Sequence, residues 1–127
     1  MPSGHAPVTA RPFAGDEDYA AMRQLLIDTL RITPVGFNWD VRRLDGQRFY
    51  DADLQSNHLF VRPIGLWEDA AGELVAYVIS ESPHDAHLQV HPDCRYLEEQ
   101  LVAWAEANLG SKDTEGRRVL EIYTYEY

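Results

Sequence analysis

The chain has 127 residues, of which 45% are hydrophobic, and this length and composition predict one packed domain instead of a disordered segment. With 21 acidic against 11 basic residues, the formal net charge is −10. Such a charge repels nucleic-acid backbones and anionic membrane surfaces, so neither is expected as a partner. Cationic partners, amines among them, fit better, although an acidic surface also simply keeps a protein soluble.

Cys94 is the only cysteine, which excludes an intrachain disulfide and a zinc site built on cysteine pairs. The first residues lack the apolar core of a signal peptide, and no run approaches the roughly 18 apolar residues of a membrane span. These features predict a soluble, cytoplasmic protein. We expect a loose N-terminal tail over residues 1–7 and a single domain over residues 8–127.

The first third of the sequence predicts a strand followed by an amphipathic helix. The segment VTARPF (8–13) favours a short strand, and Asp16 is the predicted N-cap of the helix that follows. Apolar residues recur at helical spacing up to Leu30, and the Thr33-Pro34 step ends the helix. The stretch 37–57 has the least regular pattern in the chain; Trp39, Val41, Leu44, Phe49 and Tyr50 predict either one helix or two short helices broken near Gly46, with the aromatic residues in the core.

A β-hairpin is predicted next, with strands over 64–68 and 73–80 joined by DAAG, in which Gly72 suits a left-handed turn. A third strand, 86–90, leads directly into the segment HPDCRYLEEQL (91–101). Strand, turn and helix start in this order can form an anion-binding cradle, because free N–H groups and the helix dipole point at the turn.

The last quarter of the sequence predicts one helix and one strand. Leu97, Leu101, Trp104, Ala105 and Leu109 keep helical spacing, and Gly110 follows as a C-terminal glycine cap.

The final segment, RRVLEIYTYEY (117–127), alternates as a strand that places Tyr123, Tyr125 and Tyr127 on one face. The complete order of elements predicts an α/β (α+β) fold with a mixed sheet flanked by helices. The strand before the last helix and the strand after it should be parallel neighbours.

Four segments together resemble the GNAT family of acetyl-CoA-dependent N-acetyltransferases: VTARPF with its helix, DAAGELVAY, LQVHPDCR and LEIYTYEY. The resemblance covers nearly the whole chain and is greatest to the degenerate first domain of tandem GNAT proteins. It implies a mostly antiparallel sheet flanked by helices and acetyl transfer from acetyl-CoA to a primary amine. The amine belongs to a small molecule or to a protein.

The resemblance also implies where the cofactor would lie. In the family, the backbone at the end of the strand that corresponds to 86–90 pairs with the pantetheine arm of the cofactor. The matching residues here are Leu88, Gln89 and Val90. The next turn holds the pyrophosphate with two glycines, which correspond to Glu98 and Gln100. Bulky or acidic residues at these positions oppose a polyanion, so weak or absent acetyl-CoA binding is expected.

Arg95 lies in the same turn and has two interpretations. It is a weak candidate for pairing a cofactor phosphate. The alternative is an ion pair with Glu98 or Glu99, three to four residues along the helix.

The family continues after its last matching strand with another helix and two strands, and that helix usually carries the Tyr that acts as general acid. This sequence ends at Tyr127, so the expectation is an incomplete domain or an N-terminal half. The edge of the final strand is the expected place for a second GNAT domain or for a homodimer partner. A non-catalytic domain that supports a second catalytic domain or chain is therefore the alternative function.

His84, Asp85, His87 and His91 lie within eight residues and raise the question of a metal site, but His91 precedes a proline and leaves the strand, so no metal is predicted. His84 and Asp85 are weak candidates for the base that deprotonates the amine, and a His-Asp pair is equally typical of a plain turn. Cys94, at the helix start, is a candidate for a lowered thiol pKa.

Overall fold

A computed structural model describes residues 7–34, 37–49 and 62–124 of the chain. The predicted tail, except residue 7, lies outside these residues, as do Tyr50, Tyr125 and Tyr127. The elements are β1 (Thr9–Pro12), α1 (Asp16–Leu30), α2 (Val41–Phe49), β2 (Gly65–Glu68), β3 (Leu74–Ile79), β4 (Asp85–Val90), a 3-10 helix (Pro92–Leu97), α3 (Glu98–Asn108), β5 (Ser111–Lys112), β6 (Arg118–Val119) and β7 (Glu121–Tyr123). No helix in these ranges is both long and apolar enough to cross a membrane.

Five strands form the main sheet in the order β1-β2-β3-β4-β7. The pairs from β1 to β4 are antiparallel, and β4 pairs with β7 in parallel, which confirms the predicted mixed sheet and its parallel neighbours. The hairpin between β2 and β3 is also confirmed, and Gly72 has the left-handed φ of 81° that its turn requires. This sheet is the frame on which the candidate site is built.

Helices cover both faces of the sheet. Met22, Leu25 and Leu26 of α1 are buried in a cluster with Tyr77 and Ile79 of β3. On the opposite face, residues of α3 are buried together with the alternate side chains of β3 and β4; this second cluster includes Leu101, Ala105, Ala76, Val78, Ala86, Leu88 and Val90. Because side chains alternate along a strand, His87 and Gln89 of β4 face the α1 side.

The start of α1 differs from the prediction. Gly15, not Asp16, is the N-cap residue, and its position has no side-chain cap. Asp18 reaches back from the first turn and accepts a hydrogen bond from the Ala14 N–H at 2.7 Å. Arg11 of β1 also donates to Asp18 and, at 3.0 Å, to Glu68 of β2, so these carboxylates fix the helix start against the sheet.

The helical predictions for the middle and end of the chain are confirmed. α2 runs through Gly46 as one helix, and Trp39 and Leu44 are buried. α3 is followed by Gly110, whose φ of 103° matches a C-terminal glycine cap.

The prediction of one continuous final strand is wrong. Residues 118–119 pair with β5 in a separate two-stranded sheet, and only Glu121–Tyr123 join the main sheet. A turn that includes Gly116 folds β6 back on β5. The chain then begins to pair with β4 only after Leu120, at Glu121.

Candidate functional site

Among the described residues, β4 extends beyond its ladder with β7. Their parallel ladder runs from the pair Asp85 and Glu121 to the pair His87 and Tyr123, while β4 continues to Val90. On the other edge, β4 stays paired with β3 as far as Val90. Within the described part of the chain, residues 88–90 therefore have no strand partner on the β7 side, while residues 125–127, which follow β7, lie outside that part.

The backbone N–H and C=O of Val90 face the side of β4 that lies away from β3. The backbone N–H of His91 donates to the carbonyl of Val75, a residue of the neighbouring strand β3, at 2.8 Å. Because successive backbone groups of a strand point to opposite edges, the N–H and C=O of Val90 point away from β3. The side-chain amide of Asn38 pairs with both: it donates to the Val90 carbonyl at 2.9 Å and accepts from the Val90 N–H at 3.0 Å.

The turn after β4 uses its own groups to satisfy its backbone donors. The His91 ring Nδ1 accepts from the Asp93 N–H at 3.1 Å, and the His91 carbonyl accepts from the Cys94 N–H at 2.8 Å. Arg95 donates to Glu98 at 2.8 Å, which confirms the predicted ion pair, and its guanidinium lies 5.6 Å from the ring centre of Phe37. These contacts leave the turn poorly suited to a phosphate.

The two parts of the predicted cofactor site thus differ in their fit to acetyl-CoA. The Val90 edge offers one donor and one acceptor, which matches an amide of an extended ligand. The turn does not match the pyrophosphate, because the Glu98 carboxylate stands there and no glycine occupies position 98 or 100. We therefore expect the strand edge, and not the turn, to dominate any binding of the cofactor.

On the α1 face of the same strand, His87 is buried between two aromatic rings. Its imidazole stacks on Tyr123 with ring centres 4.7 Å apart and lies 5.2 Å from the ring centre of Trp39. The Nε2 atom is 3.4 Å from a carboxylate oxygen of Glu81 and 3.7 Å from one of Asp85. An imidazole in this setting has a preferred orientation and two carboxylates beside one ring nitrogen.

The charges around His87 are themselves held in place. Arg43 of α2 donates to Glu81 twice, at 2.9 and 2.6 Å, and its guanidinium lies 4.5 Å from the ring centre of Trp39. Burial lowers the pKa of His87; the carboxylates of Asp85 and Glu81 oppose this, and the net pKa is below the usual value. The His87 imidazole is therefore mostly neutral near pH 7.

Several buried polar side-chain atoms on the α1 side of the sheet have no hydrogen-bond partner within the part of the chain that is described. They are both ring nitrogens of His87, the Tyr77 hydroxyl, the Gln89 amide nitrogen and the Trp39 indole nitrogen, and the Trp67 indole nitrogen is likewise unpaired in the cluster on the α3 side. The other amide atom of Gln89 has a partner, since its Oε1 accepts from the backbone N–H of Trp39 at 2.7 Å. Unpaired buried polar groups are costly, so water or a polar ligand that reached one of these atoms would be stabilised there.

The two residues that the sequence suggested as a base lie differently. His84 is exposed, and its backbone forms the described contacts with Ser82 and Glu121. Asp85 organises the turn before β4, accepting from the Ser82 hydroxyl at 2.7 Å and from the Glu81 and Ser82 N–H groups. Burial raises the pKa of Asp85, but these hydrogen bonds lower it more, so its carboxylate is a weak base that orients its neighbours.

Two further sequence predictions concern the same region. Among the described residues, no group of three or more His, Cys, Asp or Glu side chains is arranged to hold a metal ion. The suggestion of a lowered Cys94 pKa is wrong, because burial raises the pKa of this thiol and the local backbone is part of a kinked 3-10 helix.

The lowered pKa of His87 predicts a pH dependence of stability. The unfolded chain binds a proton at this residue near pH 6.5, and the folded chain binds it only at lower pH, so the free energy of unfolding falls as pH decreases below about 6.5. Urea unfolding between pH 7 and 5 measures this slope. We expect a smaller slope for His87→Gln than for the unchanged protein, and an equal slope would contradict the assignment.

Sequence reasoning did not single out His87 as a candidate base and did not single out Asn38 at all. The period-two pattern of a strand places His87 and Gln89 on the same face of β4. Two polar residues on one face of a strand that is otherwise apolar are the sequence feature that could have indicated a site there. Asn38 is 52 residues away from Val90 along the chain, and an asparagine in a connecting loop carries no periodic pattern.

Comparisons with known proteins identify the fold. No protein-family model matches the chain, and no curated protein matches it. The crystal structure of a GCN5-related N-acetyltransferase from Sphaerobacter thermophilus matches with a TM-score of 0.54 and 20% identity over 81% of this chain. The match covers 33% of that protein, so this chain spans about a third of its length.

A second crystal structure, of a candidate phosphinothricin N-acetyltransferase, matches with a TM-score of 0.47 and 20% identity over 80% of this chain and 66% of that one. The chain has the fold of the GCN5-related N-acetyltransferases. The predicted mixed α+β architecture, with a mostly antiparallel sheet flanked by helices, is confirmed.

Proposed function

We propose that this chain is an acetyl-CoA-dependent N-acetyltransferase domain that acts on a primary amine and binds its cofactor weakly. The observation that carries this proposal is the position of His87. It is a neutral, buried imidazole on β4, paired with Tyr123 at the point where the ladder between β4 and β7 ends. A positioned base that takes up the proton of the amine assists amine acylation.

The chemistry assigned to the chain is removal of a proton from the amine. An alkylamine is protonated at pH 7 and cannot attack a carbonyl until it loses that proton. The neutral ring of His87 accepts the proton, and the carboxylates of Glu81 and Asp85 stabilise the imidazolium that results. Acetyl-CoA, when bound, supplies the thioester whose carbonyl carbon the free amine attacks and whose thiolate leaves.

A direct assay tests this function. The protein is incubated with millimolar acetyl-CoA and a panel of primary amines, and both the released CoA thiol and the acetylated amine are measured. We expect product in proportion to thiol, with a rate that rises with pH as His87 and the amine lose protons. Absence of acetylated amine, together with absence of acetyl-CoA binding by calorimetry, would overturn the proposal.

The second candidate function is a non-catalytic domain that supports another catalytic domain or a second copy of the chain. One observation favours it: the turn after β4 satisfies its own hydrogen-bonding groups. The Asp93 N–H donates to the His91 ring, and the Arg95 guanidinium pairs with the Glu98 carboxylate, where a cofactor phosphate would otherwise bind. The partner surface would be the edge of β7, which is the last strand of the main sheet within the described ranges. Concentration-dependent dimerisation in sedimentation experiments, with no thermal shift in acetyl-CoA, would favour this function over acetyl transfer.

A further inference from the structure

The segment 37–39 passes the Val90 end of β4 between two anchors. Phe37 is buried in the cluster on the α3 side, and Trp39 is buried in the cluster on the α1 side. Because these two residues are only two positions apart and lie on opposite faces, the chain between them passes around the edge of the sheet. Asn38 lies between them and faces the Val90 edge of β4.

The Asn38 side chain is matched to the groups that it meets. Its amide has a carbonyl oxygen, which accepts from the Val90 N–H, and an NH2 group, which donates to the Val90 carbonyl and to the Thr29 hydroxyl at 3.1 Å. Thr29 is fully buried and donates to the Leu25 carbonyl at 2.9 Å. Asn38 is therefore fixed from two sides, by α1 and by β4.

We propose that Asn38 is an internal competitor of the cofactor, and this inference rests on the proposed function. The Val90 N–H can donate to one good acceptor at a time, so an amide of an extended ligand pairs with this edge only after the Asn38 side chain has turned away. The asparagine amide presents the same donor and acceptor as that ligand amide. The α1 to α2 connection thereby lowers the affinity of the domain for acetyl-CoA.

Removing the competitor should strengthen binding. In Asn38→Ala, the two hydrogen bonds between Asn38 and Val90 are absent, so the ligand does not have to break them in order to bind. We therefore expect the dissociation constant for acetyl-CoA to fall about tenfold. Calorimetric titration measures the constant, and thermal unfolding confirms that the variant is folded. Asn38→Ser, which keeps a polar group too short to bridge both Val90 atoms, provides a second variant with the same expected direction.

The matched control is Asn108→Ala, since Asn108 is an exposed asparagine of α3 whose side chain donates to the Trp104 carbonyl at 2.9 Å, away from Val90. Its dissociation constant should equal that of the unchanged protein. Hydrogen exchange of the Val90 amide provides a readout without ligand and should be faster in both Asn38 variants than in the control.

The possible outcomes separate this inference from the proposed function. If the unchanged protein and the Asn38 variants bind acetyl-CoA equally, competition is overturned while the proposed function stands. If only the variants bind, competition is supported and acetyl transfer by the unchanged protein is overturned. If no protein binds although Val90 exchange is faster in the variants, both are overturned.

Discussion

Replacing His87 with glutamine is expected to lower kcat/KM for acetyl transfer by a factor of about 100 or more, because a positioned general base contributes roughly 100-fold to 10,000-fold to proton transfer. Glutamine preserves polarity and approximate size but cannot accept a proton near pH 7. His87 is buried beside Trp39 and stacked on Tyr123, so circular dichroism and thermal unfolding must accompany the kinetics.

The pH profile distinguishes a base from a structural residue. In the unchanged protein, the acid side of the kcat/KM profile should include the ionisation of His87, with a pKa below the usual value for histidine. In His87→Gln this ionisation should be absent from the residual activity. An unchanged profile with only a reduced rate would indicate that His87 serves packing alone.

His84→Gln is the comparison that decides between the two histidines. The substitution is chemically the same and lies three residues away, in the turn before the strand, at an exposed side chain. We expect kcat/KM to change by less than about threefold, as for exposed positions away from the chemistry. A larger loss for His84→Gln than for His87→Gln would return the role of base to the turn.

The second large effect is expected at the start of α3. Changing Glu98 and Gln100 together to glycine should lower the dissociation constant for acetyl-CoA by a factor of roughly 30 to 100. The change removes a carboxylate, allows close approach of the backbone, and releases Arg95 from its ion pair so that it can pair with a phosphate. Calorimetry at two salt concentrations measures the constant and its electrostatic part.

Two glycines in a helix also destabilise it, by about 1 kcal/mol each. Ala103→Gly combined with Ala107→Gly places the same two glycines on exposed positions of α3 farther from the turn, and provides the matched control. The control should lose stability without gaining affinity. Equal affinity of the double glycine variant at 98 and 100 and of the unchanged protein would contradict our alignment of this turn.

The parts of the fold that could be predicted are those with strong local signals. The hairpin around Gly72 combines alternating apolar residues with a glycine at a left-handed position, and α3 combines helical spacing with Gly110 as its cap. Both patterns are local, so tertiary contacts reinforce what the sequence already favours. The predictions from these segments are accordingly confirmed.

The parts that could not be predicted depend on contacts between distant segments. The final strand alternates as one unit from residue 118, but β6 pairs with β5 and β7 pairs with β4, and alternation does not specify a partner. Likewise, the resemblance to the GNAT family points to His84 and Asp85 as base candidates only through an approximate match of position along the chain. His87 is distinguished only by Glu81, Trp39 and Tyr123, which three other segments bring to it.

The central claim is that an acetyltransferase-type site exists at the end of β4 and is restricted by the chain's own residues. Nuclear magnetic resonance of the 15N-labelled protein, titrated with acetyl-CoA to millimolar concentration, tests it most directly. In the unchanged protein we predict saturable chemical-shift changes of the Val90 backbone amide and of the Asn38 side-chain amide. In Asn38→Ala, the acetyl-CoA concentration at the midpoint of the Val90 shift should be about tenfold lower. Binding without any shift of the Val90 amide, or no shift anywhere in either protein, would contradict the claim.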